Sequence, residues 1–366
     1  MTRKMRTLVL AALAGLMVAG CVSSPSDNRG NQPIPPKLVA SMNAKGMTPA
    51  DPVFVRIYKQ ESELEVWKRD TSGRYALLKT YPICRWSGQL GPKKQAGDRQ
   101  APEGFYTVTG RQLNPRSQFY LSFNLGYPNK LEAAKGYTGE ALMVHGACSS
   151  SGCYAMTDQQ AAELYAIARE AFVGGQRDFL VEALPFRMTQ ANLARHRGDP
   201  NMPFWMNLAE GVAVFDATRQ PPRVDACGDR YVFNAVPTQP GATFEPLAPC
   251  PAYTTDPATA AAIAGVHQKA QLIATDASPA PLPVAYQDGG MHESFRRLMQ
   301  QVGSKKMATL TSVSGDVPVS RPQAALADPY SQEAGLAAAP PAAGPVPAAP
   351  LLPPPDGTAA PVAVAP

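Results

Sequence analysis

Proline sets the first limit on what this chain can fold into. Its 38 prolines are more than one packed domain tolerates, and they are unevenly placed. Beyond about residue 315 the sequence runs through alanine and proline with few charges. Such a stretch buries too little apolar surface to offset the entropy of ordering it, so residues 315–366 are expected to be a disordered or polyproline-like tail. Ahead of the tail the apolar residues alternate. Val53, Val55 and Ile57 share one face, and Leu64 and Val66 resume it after Lys59-Gln60-Glu61-Ser62, the pattern of a hairpin with a polar turn. Residues 75–78, 81–84, 105–108 and 119–123 continue the strand-rich pattern, with turn residues between them. Behind the cap pair Thr157-Asp158, residues Ala161, Leu164, Tyr165, Ile167, Ala168 and Phe172 recur at helical spacing, which predicts one amphipathic helix near 158–174. Residues 179–181 then return as a strand. The expected fold class is mainly β with that one helix, followed over 191–314 by a less regular extension in which 257–274 is helical by its alanines.

Chemistry concentrates in His145-Gly146-Ala147-Cys148-Ser149-Ser150-Ser151-Gly152-Cys153. Residues 141–144 read as a short buried strand that delivers His145 to its end. An imidazole able to take a thiol proton turns Cys153 into a nucleophile at neutral pH. The Gly152-Cys153 step allows a tight turn, so the N–H groups of Gly152 and Cys153 are expected to face a developing oxyanion. His145 is the only histidine in the first 195 residues, and a Ser/Gly run packs poorly as a core strand. A buried structural thiol beside a hydrogen-bonded imidazole is the alternative. His196, His267 and His292 fall in polar or irregular stretches and are expected to be solvated.

These residues resemble the YkuD-type L,D-transpeptidase domain, and most closely its YafK-like branch. His145-Gly146 and Ser150-Ser151-Gly152-Cys153 match its His-Gly step and Ser-x-Gly-Cys motif. Residues 87–93, 102–106, 126–129 and 185–189 add collinear matches, so the resemblance spans about residues 52–234. The commoner YkuD pattern has a second histidine where Ser151 stands; the YafK-like branch lacks it. The resemblance implies a YkuD-like mixed β-sandwich over residues 51–190. It also implies a cysteine enzyme that attacks peptidoglycan stem peptides at the L-centre carbonyl of meso-diaminopimelate through a Cys153 thioester, with His145 as proton donor and acceptor. Resolution by water makes a hydrolase that releases a wall-linked lipoprotein from its diaminopimelate–lysine amide. Resolution by an amine makes an L,D-transpeptidase that cross-links or exchanges D-amino acids. A non-enzymatic tether between outer membrane and wall, with Cys153 structural, is the third reading. Ser151, Arg187, Tyr127 and Asn129 lie in the shared motifs and are candidates for binding a stem peptide that bears carboxylates. Singly, Tyr127-Pro128-Asn129 also reads as a turn and Arg187 as an ion-pair partner.

The N-terminus fits such a location. Arg3-Lys4-Met5-Arg6 leads into an apolar run from Leu8 to Val18, too short for a membrane span and typical of an export signal over residues 1–20. Val18-Ala19-Gly20-Cys21 resembles a bacterial lipobox, which implies lipidation at Cys21. Val22 and Ser23 lack the aspartate that retains lipoproteins in the inner membrane, so the mature chain is expected to face the periplasm of a Gram-negative cell from its outer membrane. Residues 21–50, rich in Ser, Pro, Asn and Gly, read as a flexible tether. The formal charge of +5 owes three units to Arg3, Lys4 and Arg6, which leaves nothing that favours nucleic acid. Of the six cysteines, Cys227 with Cys250 is the first choice for a disulfide, one that contributes roughly 3 kcal/mol through chain entropy. Cys84 with Cys148 is the second. A Cys148–Cys153 pair competes with it and would switch the nucleophile off. The chain supplies too few His and Cys at ligand spacing for zinc, and no cofactor is expected.

Overall fold

The structure, a computed structural model, describes residues 27–331 apart from positions 314 and 316. Cys21, the export signal and most of the Ala/Pro-rich tail lie outside the described residues. The first long element is helix α1 (Pro36–Ala44), where a flexible tether was expected. Ile34, Leu38 and Met42 recur every four residues and are buried in the main core with Met47. That single apolar stripe anchors the segment despite its polar composition.

Strands β1 (Val53–Tyr58) and β2 (Glu63–Arg69) form the hairpin read from the alternation. Along the chain follow β3 (Tyr75–Pro82), β4 (Arg85–Trp86), β5 (Gly104–Thr109), β6 (Leu113–Asn114), β7 (Ser122–Asn124), α2 (Lys130–Ala134), β8 (Met143–His145), β9 (Tyr154–Ala155), α3 (Asp158–Val173) and β10 (Asp178–Leu184). They build two five-stranded sheets. One runs β3-β2-β1-β10-β5, with β1 parallel to β10; the other runs β4-β9-β8-β7-β6, with β8 parallel to β9. Helix α3 opens on a capping box in which Thr157 receives the Gln160 N–H. Its Leu164, Ile167 and Ala171 join Val55 and Ile57 of the first sheet and Val144 and Tyr154 of the second in one core.

The far face of the first sheet is covered as well. After α4 (Gln190–Arg195), helix α5 (Met202–Thr218) lies across β1: the Phe215 ring stands 4.4 Å from Phe54, and Arg56 pairs with Glu182 at 2.7 Å and Asp216 at 2.8 Å. Every residue of β1 is therefore buried, the polar turn residue Lys59 too, its ammonium held by Glu103 at 2.9 Å. A buried ammonium is tolerated only when paired in this way.

The extension is more regular than its sequence suggests. It continues through β11 (Val224–Cys227), β12 (Arg230–Phe233), β13 (Val236–Pro237), β14 (Tyr253–Thr254), α6 (Pro257–Ala274), α7 (Glu293–Thr311) and α8 (Pro322–Leu326). Residues 289–292 run alongside β4, the edge of the second sheet. Trp86 and Gly290 exchange backbone hydrogen bonds at 3.0 and 3.1 Å, and the His292 N–H reaches the Ile83 carbonyl at 3.0 Å. This crossing carries the last described segment over the strand ends where His145 and Cys153 lie. Residues 317–331, expected to belong to the disordered tail, are ordered as far as they are described, with Val319 and Ala325 buried.

Candidate active site

The parallel pair β8/β9 sets the geometry. Val144 is registered with Tyr154 and His145 with Ala155, so Cys153, immediately before β9, stands opposite Met143. Side chains two residues apart on a strand share a face, which puts His145 and Cys153 in diagonal positions on one face of neighbouring strands. The Met143 N–H donates to Cys153 Sγ at 3.4 Å, and the thiol reaches the Ala141 carbonyl at 3.7 Å. Cys153 is the free cysteine of the described residues. Burial pushes its thiol up, opposed by the Met143 N–H and the charge of Lys93.

His145 is buried, with its ring 4.7 Å from that of Phe119. Its Nδ1 lies 2.6 Å from the Gly146 carbonyl, which can only accept. That contact assigns the proton to Nδ1 and leaves Nε2 a free lone pair. Burial lowers the imidazole to about 4 against the pull of the same carbonyl. Burial disfavours the charged form of each group, the imidazolium and the thiolate, which favours proton transfer during attack over a preformed ion pair.

The loop between them is held in a strained shape. Ala147 and Cys148 both take positive φ, 65° and 42°, which non-glycine residues adopt only when the surroundings impose it. The surroundings do so: the Ala147 N–H donates to Asp158 Oδ1 at 2.7 Å, the Cys148 N–H to the Met156 carbonyl at 3.1 Å, and Cys148 is bonded to Cys84. Of the alternatives for Cys148, the pair with Cys84 is the one formed, and Cys227 is bonded to Cys250. Gly152 has φ 133°, a conformation that a side chain would strain.

Ser150 organises the nucleophile turn. Its Oγ donates to the Cys153 carbonyl at 2.7 Å and receives the N–H groups of Gly152 at 3.3 Å and Cys153 at 3.1 Å. The expectation that these two N–H groups face an oxyanion is thereby corrected: in this geometry they point into the loop, at a hydroxyl. Ser150 Oγ also lies 3.1 Å from Ser87 Oγ. Its backbone is gripped in turn by Ser320, whose Oγ receives the Ser150 N–H at 3.0 Å and donates to the Ser150 carbonyl at 2.7 Å.

The other sequence candidates divide. Ser151 is exposed and its Oγ receives Arg99 Nη1 at 2.5 Å, at the rim of the site. Tyr127 is buried and donates to the Lys93 carbonyl at 3.2 Å, so it touches the site through Lys93. Asn129 is not brought there. Its Oδ1 caps α2 at the Glu132 N–H, and its amide donates to the Phe105 carbonyl and the Tyr231 hydroxyl. Arg187 is not brought there either: its guanidinium is bound by Glu63 and by Glu65 at 2.8 Å, above the Tyr58 ring. Both carry polar atoms that the fold itself satisfies, the commoner fate of such residues. Among the other histidines, His196 departs from the expected solvation. It is buried, stacked 4.5 Å from Phe186, and hydrogen-bonded to Gln60 at 2.8 Å. Sequence reasoning missed Arg99, Asp158, Asp288 and Ser320. Asp288 and Ser320 lie far along the chain in segments with no motif of their own. Among the described residues no cluster of three His, Cys, Asp or Glu is placed to hold a metal.

Comparison with known proteins matches this chain to a family. Residues 52–177 match the model for YkuD, the L,D-transpeptidase catalytic domain. The chain is 39% identical over 225 residues to the "Putative L,D-transpeptidase YafK" of Escherichia coli (strain K12), covering 62% of this chain and 90% of that one. The protein of the same description in Escherichia coli O157:H7 gives the same figures. Among solved structures, the helical cell shape determining protein Pgp2 from Campylobacter jejuni aligns with a TM-score of 0.30 at 18% identity, over 51% of this chain and 79% of that one.

Proposed function

Because this chain belongs to the YkuD family of L,D-transpeptidase catalytic domains, in its YafK-like branch, it is a peptidoglycan-modifying enzyme, and we propose that it hydrolyses the amide joining a lipoprotein lysine to meso-diaminopimelate. The observation that carries the chemistry is the β8/β9 register, which sets the free Cys153 and His145 in diagonal positions on one face, with His145 Nε2 left unprotonated by the Nδ1 contact to Gly146. His145 Nε2 takes the thiol proton as Sγ attacks the L-centre carbonyl of the stem peptide. The tetrahedral adduct collapses with cleavage of the C–N bond, and His145 returns the proton to the departing lysine amine. The thioester left on Cys153 is opened by water, which gives one proton to His145 and releases a carboxylic acid. Cys153 recovers its proton as the C–S bond breaks. An amine in place of that water would complete a transpeptidation, and pocket shape decides between them.

Location belongs to the same proposal. Lipidation at Cys21 would hold the chain at the outer membrane with the site facing the periplasm, within reach of wall-linked lipoprotein.

The test is to incubate the protein, started after Cys21, with sacculi that carry covalently bound lipoprotein, beside Cys153→Ala. Cysteine-dependent release of lipoprotein supports the hydrolase. New stem-peptide cross-links or D-amino-acid exchange without release would replace it with the transpeptidase.

A further inference from the structure

One carboxylate oxygen beside the nucleophile loop serves three arginines. Asp288 Oδ2 lies 2.9 Å from Arg99 Nη2, 3.6 Å from Arg85 Nη2 and 3.6 Å from Arg321 Nε. Its other oxygen receives the Gly88 N–H at 3.3 Å. Among the described residues no second carboxylate pairs with any of the three, so the cluster carries a surplus of two positive charges. Arg85 is buried and locked by backbone carbonyls, among them those of Ser320 at 3.1 Å and Asp288 at 2.5 Å. Burial lowers it to about 10, and the charges of Arg99 and Arg321 push the same way. The other two are reachable, with side chains 26% and 60% exposed. Arg99 also touches the loop itself, through Ser151 Oγ and through the Ser150 carbonyl at 3.3 Å.

We propose that Arg99 and Arg321, arrayed by Asp288, form an anion subsite that takes a free carboxylate of the stem peptide and so fixes its register against Cys153. Like guanidinium charges crowded on one oxygen repel one another, and a second carboxylate relieves that repulsion. Arg99 already donates to a neutral hydroxyl at the loop rim, a bond that a carboxylate replaces with a stronger one. Arg321 and Asp288 come from the extension beyond the matched catalytic domain, so the subsite is assembled from both parts of the chain. The identity of the ligand as a stem peptide rests on the function proposed above; the anion subsite itself does not.

The experiment measures alkylation of Cys153 in the purified chain by anionic iodoacetate and by neutral iodoacetamide, followed on the peptide that contains it. Arg99→Gln and Arg321→Gln are each expected to lower the iodoacetate-to-iodoacetamide rate ratio about two- to threefold, the scale of one unit charge removed from near the thiol in a watery dielectric. Molar salt should collapse the wild-type ratio toward that of the variants. Arg321 is the more exposed, so its variant keeps the test usable should Arg99→Gln fail to fold. Unchanged ratios in folded variants would overturn the subsite. With stem-peptide substrates, amidating the recognised carboxylate should raise KM in the wild type and leave KM unchanged in the variants. Equal losses in both would overturn the assignment of that carboxylate. A chain that turns over no stem peptide but shows the altered ratios would remove the substrate reading and leave the anion subsite standing.

Discussion

Ser320 and Ser150, 170 residues apart, exchange two hydrogen bonds: the Ser320 hydroxyl takes the Ser150 N–H at 3.0 Å and gives its own proton to the Ser150 carbonyl at 2.7 Å. Ser150 in turn holds the carbonyl and the N–H of Cys153. The extension therefore reaches the nucleophile through one intermediate residue.

Removing that brace should be felt at the thiol. Ser320→Ala leaves the Ser150 N–H without its partner and the Ser150 carbonyl with Arg99 alone, a cost of about 1–3 kcal/mol in local stability. Amide exchange over residues 150–153 should quicken and kcat should fall more than KM changes, while Ser320→Thr restores both. Unaltered exchange at those amides would show that the contact does not brace the loop.

Ser150→Ala should lower turnover about tenfold or more, by loss of three bonds that shape the Cys153 turn. Iodoacetamide should still label Cys153 in the folded variant. Turnover above wild type would mean instead that the hydroxyl blocks N–H groups the reaction needs.

Burial of both partners predicts how reactivity depends on pH. With its thiol raised by burial, Cys153 should alkylate faster as pH rises through 9, with no plateau near pH 6. A plateau below pH 7 that disappears in His145→Ala would reveal a thiolate–imidazolium pair.

Stability should carry the imprint of His145. Its imidazole sits at about 4 in the fold against 6.5 when free, so between those values the unfolded chain binds the extra proton. The stability that neutral His145 contributes is complete above pH 6.5 and is lost as pH falls toward 4, by about 3 kcal/mol. Denaturant midpoints between pH 7 and pH 4 should fall more steeply for the wild type than for His145→Gln. Parallel profiles would place the imidazole in water.

The two disulfides should separate in their effects. Cys84–Cys148 spans 64 residues and Cys227–Cys250 spans 23. Replacing either pair with alanine should cost about 2–4 kcal/mol in stability. Only the first, three residues beyond His145, should also reduce turnover in the folded protein. Equal activity in both double variants would detach the disulfide from the site.

Legibility in the sequence followed periodicity and proximity. The β1–β2 hairpin and α3 announce themselves by periods of two and near four, and His145 and Cys153 share one short motif. Helix α5 gives no such sign. Apolar residues surround most of it, because it is buried between β1 and α6 (Trp205, Leu208, Val214 and Phe215 are all fully covered), and a helix without a polar face has no amphipathic period. Arg187 and Asn129 misled for a related reason: a polar residue in a shared motif looks the same whether it meets a ligand or satisfies the fold. The partners of Asp288 and Ser320 became visible only in three dimensions, since nothing local marks a side chain whose contact lies some 170 to 200 residues away.

The crossing of residues 289–292 beside β4 has a consequence for how the protein is made. A chain emerging from its N-terminus presents His145 and Cys153 long before the segment that braces them. The β4 edge stays bare until residues 289–292 arrive, and the Cys153 turn lacks its outer support until residue 320 does. Product cut short ahead of that point would carry both reactive residues and an unfinished site, so activity is acquired late, as the last act of assembly.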